Sequence, residues 1–234
     1  MLFFYVLIFY CGACLASFLL WLAGTWNQGA IRFKQRSQCD NCQRPLHWYE
    51  LFPIFSSLFA RFRCVSCSKP ISFNYFLSEF FIGLLWVFLV HHLTYSFDNT
   101  LLAQIFLLLR IILLILMAFI DILERWVPDV LQLGIFICSL IELNSVHFSF
   151  VLILFFLLLL IFLLGSQYIG GADLKLIFSL SLTIPFHLFP HFLFISSLSG
   201  LFFVFFYNRF TKTNMIEIPF VPFLSLAYYC LLFL

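Results

Sequence analysis

Two of this chain's ten acidic residues sit where solvation alone would not place a carboxylate. Asp121 closes the apolar run Leu107–Ile120. A negative charge at a helix C-terminus opposes the macrodipole, so capping does not account for it; an i,i+4 pair with Arg125 is the structural alternative. Asp173 lies in Tyr168-Ile-Gly170-Gly171-Ala172-Asp173-Leu-Lys175. Helix N-capping accounts for the aspartate but not for two adjacent glycines, which let a backbone turn tightly or approach another closely. Two close carboxylates sharing one proton can divide the work. One acts as base toward water while the other, protonated, polarises a carbonyl. Asp129, directly after Pro128, suits a helix start, where a carboxylate is favourable.

A second group has metal-ligand spacing. Cys39-Asp-Asn-Cys42 and Cys64-Val-Ser-Cys67 are two C-x-x-C knuckles that can give four thiolates to Zn²⁺. A disulfide pair is the competing reading. The surrounding segment is too small and polar to build a core, so a metal would stabilise its fold directly.

These residues must be held by membrane helices. The chain is 64% apolar and only 9% charged, against about a quarter charged in soluble domains, and its apolar runs approach the roughly 20 residues that cross a bilayer. About eight spans follow: 2–24, 73–96, 101–119, 130–143, 148–166, 174–189, 191–207 and 218–234. The chain divides into a first span, 1–24, a loop, 25–72, and a bundle, 73–234. It reads as an all-α, polytopic transmembrane bundle with a small cysteine-rich loop.

Lysine and arginine stay in cytoplasmic loops. Arg32, Lys34, Arg36, Arg44, Arg61, Arg63 and Lys69 lie in loop 25–72, and Arg125, Lys175, Arg209 and Lys212 fall on the same side of an eight-span chain. Both termini are then outside, with the cysteine loop, Asp121 and Asp173 at the cytoplasmic face, where thiols stay reduced. Arg110 is the exception, inside the third span. It stands about 16 Å deeper than Asp121, a depth similar to that of Glu142 beyond Asp129, so the two form a candidate salt bridge. Glu79, early in the second span, is a buried acid whose partner the sequence does not name.

In their order, these motifs resemble the type IV prepilin peptidase family, including the competence-pilus type, whose members are GxGD-type intramembrane aspartyl proteases. Gly12-Ala-Cys-Leu-Ala16-Ser17-Phe18 is similar to the family's G-x-x-x-G-S-F segment, and Trp48-Tyr-Glu50-Leu51-Phe52-Pro53 to its W-x-E/D-L-I-P stretch. The segment Ile71–Glu79 resembles the one leading to a glutamate in the second span. Asp121 through Val127-Pro128-Asp129 is similar to D-x(6)-I/V-P-D, Gly170-Gly171-Ala172-Asp173 to G-x-G-D, and Ile218-Pro-Phe-Val221-Pro222 to I-P-F-G-P. Ala172 and Val221 replace glycines of the family pattern.

The resemblance implies that Asp121 and Asp173 are catalytic, with Gly170, Gly171, Ala172, Lys175, Asp129 and Glu79 supporting them. It implies a type IV prepilin as substrate, cleaved on the cytoplasmic side of the bacterial inner membrane. It further implies zinc at Cys39, Cys42, Cys64 and Cys67, and methylation of the new N-terminus with S-adenosylmethionine. Nothing points to nucleic acid, and the oligomeric state is not legible. Two readings from other classes stay open: an ion- or metal-coupled transporter lined by Asp121, Asp173, Arg110 and Glu142, and a non-catalytic zinc-stabilised scaffold of a pilus or secretion assembly. A signal-peptide-peptidase-like protease is a third, against which the cysteine loop argues.

Overall fold

A computed structural model describes residues 2–26, 37–39, 41–95, 101–142, 148–165, 170–211 and 218–233. Of the residues used above, Arg32, Lys34, Arg36, Tyr168 and Lys212 lie outside the described residues. Where described, the chain is helical, without strands. It forms two units, Met1–Asp98 and Asn99–Leu234.

In the first unit α1 (Leu2–Thr25) packs along α3 (Phe73–Tyr95). Both helices are apolar all round, so small residues rather than an apolar stripe set the crossing. Gly12 sits so close to the partner helix that a Cβ would lie 2.5 Å from Trp86 Cβ and 3.1 Å from Gly83 Cα. Ala13 and Ala16 are fully buried beside it. Between these helices the chain makes a short 3₁₀ turn, Trp48–Leu51, and a helix, α2 (Phe55–Phe59).

The second unit holds α4 (Leu101–Glu124), α5 (Asp129–Ile141), α6 (Phe148–Gly165), α7 (Gly171–Ser181), α8 (Phe189–Thr211) and α9 (Val221–Leu232). Helix α4 packs on α5 and α9, while α7 packs on α5, α6 and α9. Four helices among the described residues, α1, α3, α4 and α8, are long and apolar enough to cross a membrane; α5, α6 and α9 are shorter apolar helices.

Two boundaries differ from the sequence reading. Helix α4 runs on to Glu124, so Asp121 lies within its last turn rather than beyond it. The sixth span expected over 174–189 is an 11-residue helix, about 16 Å long, starting at Gly171 and followed by turns before α8. Apolarity continues through those turns, and composition therefore carried no sign of the stop.

The core of this unit contains a cation. Arg110, 1% exposed, is 2.9 Å from Glu142 Oε2, and its guanidinium lies 5.3 Å from the centre of the Tyr228 ring. The pair expected from matching depths joins α4 to the end of α5. Tyr228 adds a cation–π contact from α9.

Candidate active site and metal centre

Asp121 is 6% exposed. Its Oδ2 accepts the Val221 N–H at 3.1 Å. Val221 is the first residue of α9, so the hydrogen bond supplies a partner for a backbone donor that the helix itself leaves unpaired. Pro222 follows at a first-turn position, where it has no N–H to satisfy. The Ile218–Pro222 motif thus delivers the N-terminus of one helix to the acid at the C-terminal end of another. Val221, where the family pattern has glycine, is fully buried.

Asp173 is half-buried in the first turn of α7, two residues after Gly171 begins the helix. The N-cap is Gly170, not the aspartate. Its carboxylate lies close enough to that of Asp121 for the two to act on each other electrostatically. Gly170 has φ −62°, which any residue can adopt, so space is what the glycine supplies. A Cβ there would stand 3.0 Å from Asp173 Oδ2, and one on Gly171 would stand 3.3 Å from the Phe162 ring of α6. Ala172 belongs to the helix and is not among the described non-glycine residues with positive φ. Alanine replaces glycine there without a conformational penalty.

Helix α5 holds this turn from the side. Gln132, 5% exposed, donates from Nε2 to the Ala172 carbonyl at 2.9 Å, one residue before Asp173. Asp129, the first residue of α5 after its Pro128 N-cap, pairs with Lys175 Nζ at 2.8 Å. Asp129 is thus a helix-start residue and also a tie between α5 and α7. Sequence reasoning did not single out Gln132. A lone amide in an apolar helix was the available signal.

The cysteine loop is built on different lines. Residues 37–39 and 41–46 fold like 62–64 and 66–71, 25 residues on, although no fixed-length repeat stands out from the sequence as a whole. Gln38 bridges Pro45 as Arg63 bridges Pro70. The Cys39 N–H donates to the Arg44 carbonyl at 3.0 Å and the Cys64 N–H to the Lys69 carbonyl at 2.9 Å. Gln43 and Ser68 both turn back with φ 55°. The matching residues are C-x-x-C, one polar residue, Arg or Lys, Pro, then Leu or Ile; the shared pattern beyond the cysteines was the signal missed.

The four sulfurs lie within 4.8 Å of one another, with Cys39–Cys67 and Cys42–Cys64 at 3.9 Å. A tetrahedron of Zn–S bonds near 2.3 Å has edges of about 3.8 Å, so the set fits one zinc ion. Backbone N–H groups of Cys67 and Ser66 hold the Cys64 thiol down to about 6, and those of Cys42 and Asn41 lower Cys39. These two shifts favour the thiolate that binds metal, while burial and the neighbouring sulfurs push the Cys42 thiol up to about 11.

Comparison with known proteins bears on both parts. The model of the bacterial peptidase A24 N-terminal domain matches residues 10–93, and that of the type IV leader peptidase family matches residues 108–205. The chain belongs to the type IV leader peptidase family. The second match contains Asp121, Gln132 and Asp173, and the first contains all four loop cysteines and Glu79. A prepilin leader peptidase/N-methyltransferase of Myxococcus xanthus is 33% identical over 124 residues, 53% of this chain and 35% of that protein. One of Legionella pneumophila is 26% identical over 208 residues, 83% of this chain and 71% of that protein. The chain thus spans about a third of the first relative's length. No solved structure matches it significantly. The family and the apolar helices make this an integral membrane protein.

Proposed function

We propose that this protein is a membrane-embedded aspartyl endopeptidase that removes the leader of type IV pilin-like precursors, with Asp121 and Asp173 as its catalytic pair. The observation that supports the reading is that these two carboxylates, at the end of α4 and the start of α7, are near enough to interact electrostatically, within a chain of leader-peptidase type.

The chemistry follows from the pair. One carboxylate takes a proton from water as the water oxygen attacks the scissile carbonyl. The other, protonated, donates to the carbonyl oxygen, and a tetrahedral diol forms. Collapse returns a proton to the leaving nitrogen and breaks the C–N bond. No covalent intermediate is needed. Gly170, Gly171 and Ala172 leave room around Asp173, Gln132 fixes its turn, and the Asp129–Lys175 pair ties α5 to α7 beside it. The distribution of lysine and arginine supports a cytoplasmic-membrane protein with both termini outside and the aspartates facing the cytoplasm.

Zinc at Cys39, Cys42, Cys64 and Cys67 would fold the loop rather than take part in hydrolysis. N-methylation with S-adenosylmethionine is a second activity named for both relatives. Loop 25–72 has one glycine, Gly29, and offers no glycine-rich cradle for that cofactor, so no step is assigned to it.

Co-expression with a type IV prepilin tests the reading through leader removal by wild type, Asp121→Asn, Asp173→Asn and Asp129→Asn. The first two variants are expected to abolish cleavage and the third to retain it. Cleavage that survives in Asp121→Asn or Asp173→Asn would remove the catalytic assignment. Flux of protons or metal ions that depends on Arg110 would favour the transporter reading instead.

A further inference from the structure

Between the two cysteine turns, residues 48–59 carry apolar side chains that face outward. Trp48 is 73% and Phe59 86% exposed, and Leu51, Phe52, Phe55 and Leu58 are exposed as well. A contiguous apolar patch in a polar loop marks a contact surface.

Two tethers set its level against the helices of its own unit. The Ile54 N–H donates to Glu79 Oε2 at 2.7 Å, and the Ser17 side chain of α1 lies near the same carboxylate. Glu79 lies six positions into α3, about 9 Å from its first residue. The Phe52 and Phe55 rings lie 6.4 and 6.2 Å from the ring of Tyr10, fifteen positions before the end of α1. That is about 22 Å along the axis, part of which the side chains span. Both tethers draw residues 52–55 alongside the helices rather than above their ends. Helix α1 stays apolar as far as Ala23, so hydrocarbon surrounds it at this level.

Irregular backbone survives at such depth only where its polar groups are satisfied. Here the Ile54 N–H has the Glu79 carboxylate, while the N–H groups of Phe55, Ser56 and Leu58 donate to the carbonyls of Pro53, Phe52 and Ile54. Ile54 forms the turn with φ 65°. This gives Glu79 a partner and a reason to be buried. Arg61 and Arg63 follow directly, cations of the kind that pair with lipid phosphates, and Trp48 and Tyr49 are residue types that collect at the membrane interface.

We propose that residues 48–59 form a re-entrant segment dipping into the edge of the bilayer, with Trp48, Phe55, Leu58 and Phe59 against lipid acyl chains. Among the described residues of loop 25–72, the aqueous part is then essentially the two cysteine turns.

The test uses the full, metal-loaded chain in phosphatidylcholine–phosphatidylglycerol vesicles containing a lipid with a diazirine on its acyl chain. After irradiation, adducts are mapped by mass spectrometry. Bound metal and adducts on exposed Phe3 and Phe4 of α1 report a folded, inserted protein. Adducts on Phe55 and Phe59 at yields comparable to those on α1 are expected. Adducts on α1 and α3 with none in 48–59 would overturn the proposal, whether water, a second copy or a pilin covers the segment.

Discussion

The cysteine loop and the aspartate site solve the same problem, holding a few polar groups in register, by opposite means. In the loop each half positions its own two ligands through hydrogen bonds between residues close in sequence, and the same solution appears twice. In the aspartate site every tie is long-range. Val221 reaches Asp121 across 100 positions and Gln132 reaches Ala172 across 40. A small polar segment has no core to lean on, so local backbone geometry and metal must suffice. An apolar bundle has abundant packing but little direction in it, and single polar bonds between helix ends supply that direction.

The comparison predicts unequal sensitivities. Metal removal should have the largest effect and the most local one, because binding energy of structural zinc, about 10 kcal/mol or more, is folding energy. Cys64→Ser should lose bound zinc and open the two cysteine turns to protease while α1 and α3 stay protected. A loop that stays resistant without metal would break the contrast. Next comes Gly170→Val, whose side chain must displace Asp173. A fall in cleavage of roughly hundredfold, about 2.7 kcal/mol in the barrier, is expected with metal content unchanged. Gln132→Leu removes one buried hydrogen bond, usually about 1 kcal/mol; kcat for leader cleavage should drop about fivefold, with little change in KM. Smallest is Lys175→Gln, since the Asp129 pair is exposed on both sides and such pairs contribute under about 1 kcal/mol. Its thermal midpoint should stay within error of wild type.

The same contrast explains what was legible in the sequence. The knuckles were readable because their chemistry lies in adjacent residues. The helices were readable because apolar runs report a membrane, and the depths of Arg110 and Glu142 were readable because rise per residue is fixed. Which faces meet was not, since α1 and α6 are apolar all round and carry no stripe to orient them. The N–H of Val221 and the amide of Gln132 became visible as site elements only once α9 and α5 were placed. The role of Gly170 also reversed, from a flexible turn to a space kept clear for the aspartate.

The central claim is that Asp121 and Asp173 act as one catalytic unit. It is tested most directly by single-turnover cleavage of a purified prepilin by wild type, Asp121→Asn, Asp173→Asn and the double variant, with bound metal confirming the fold of each. Residues that act as a unit are non-additive. The account predicts that each single variant falls to background and that the double variant is no lower. Measurable cleavage by either single variant, with a further loss in the double, would contradict it.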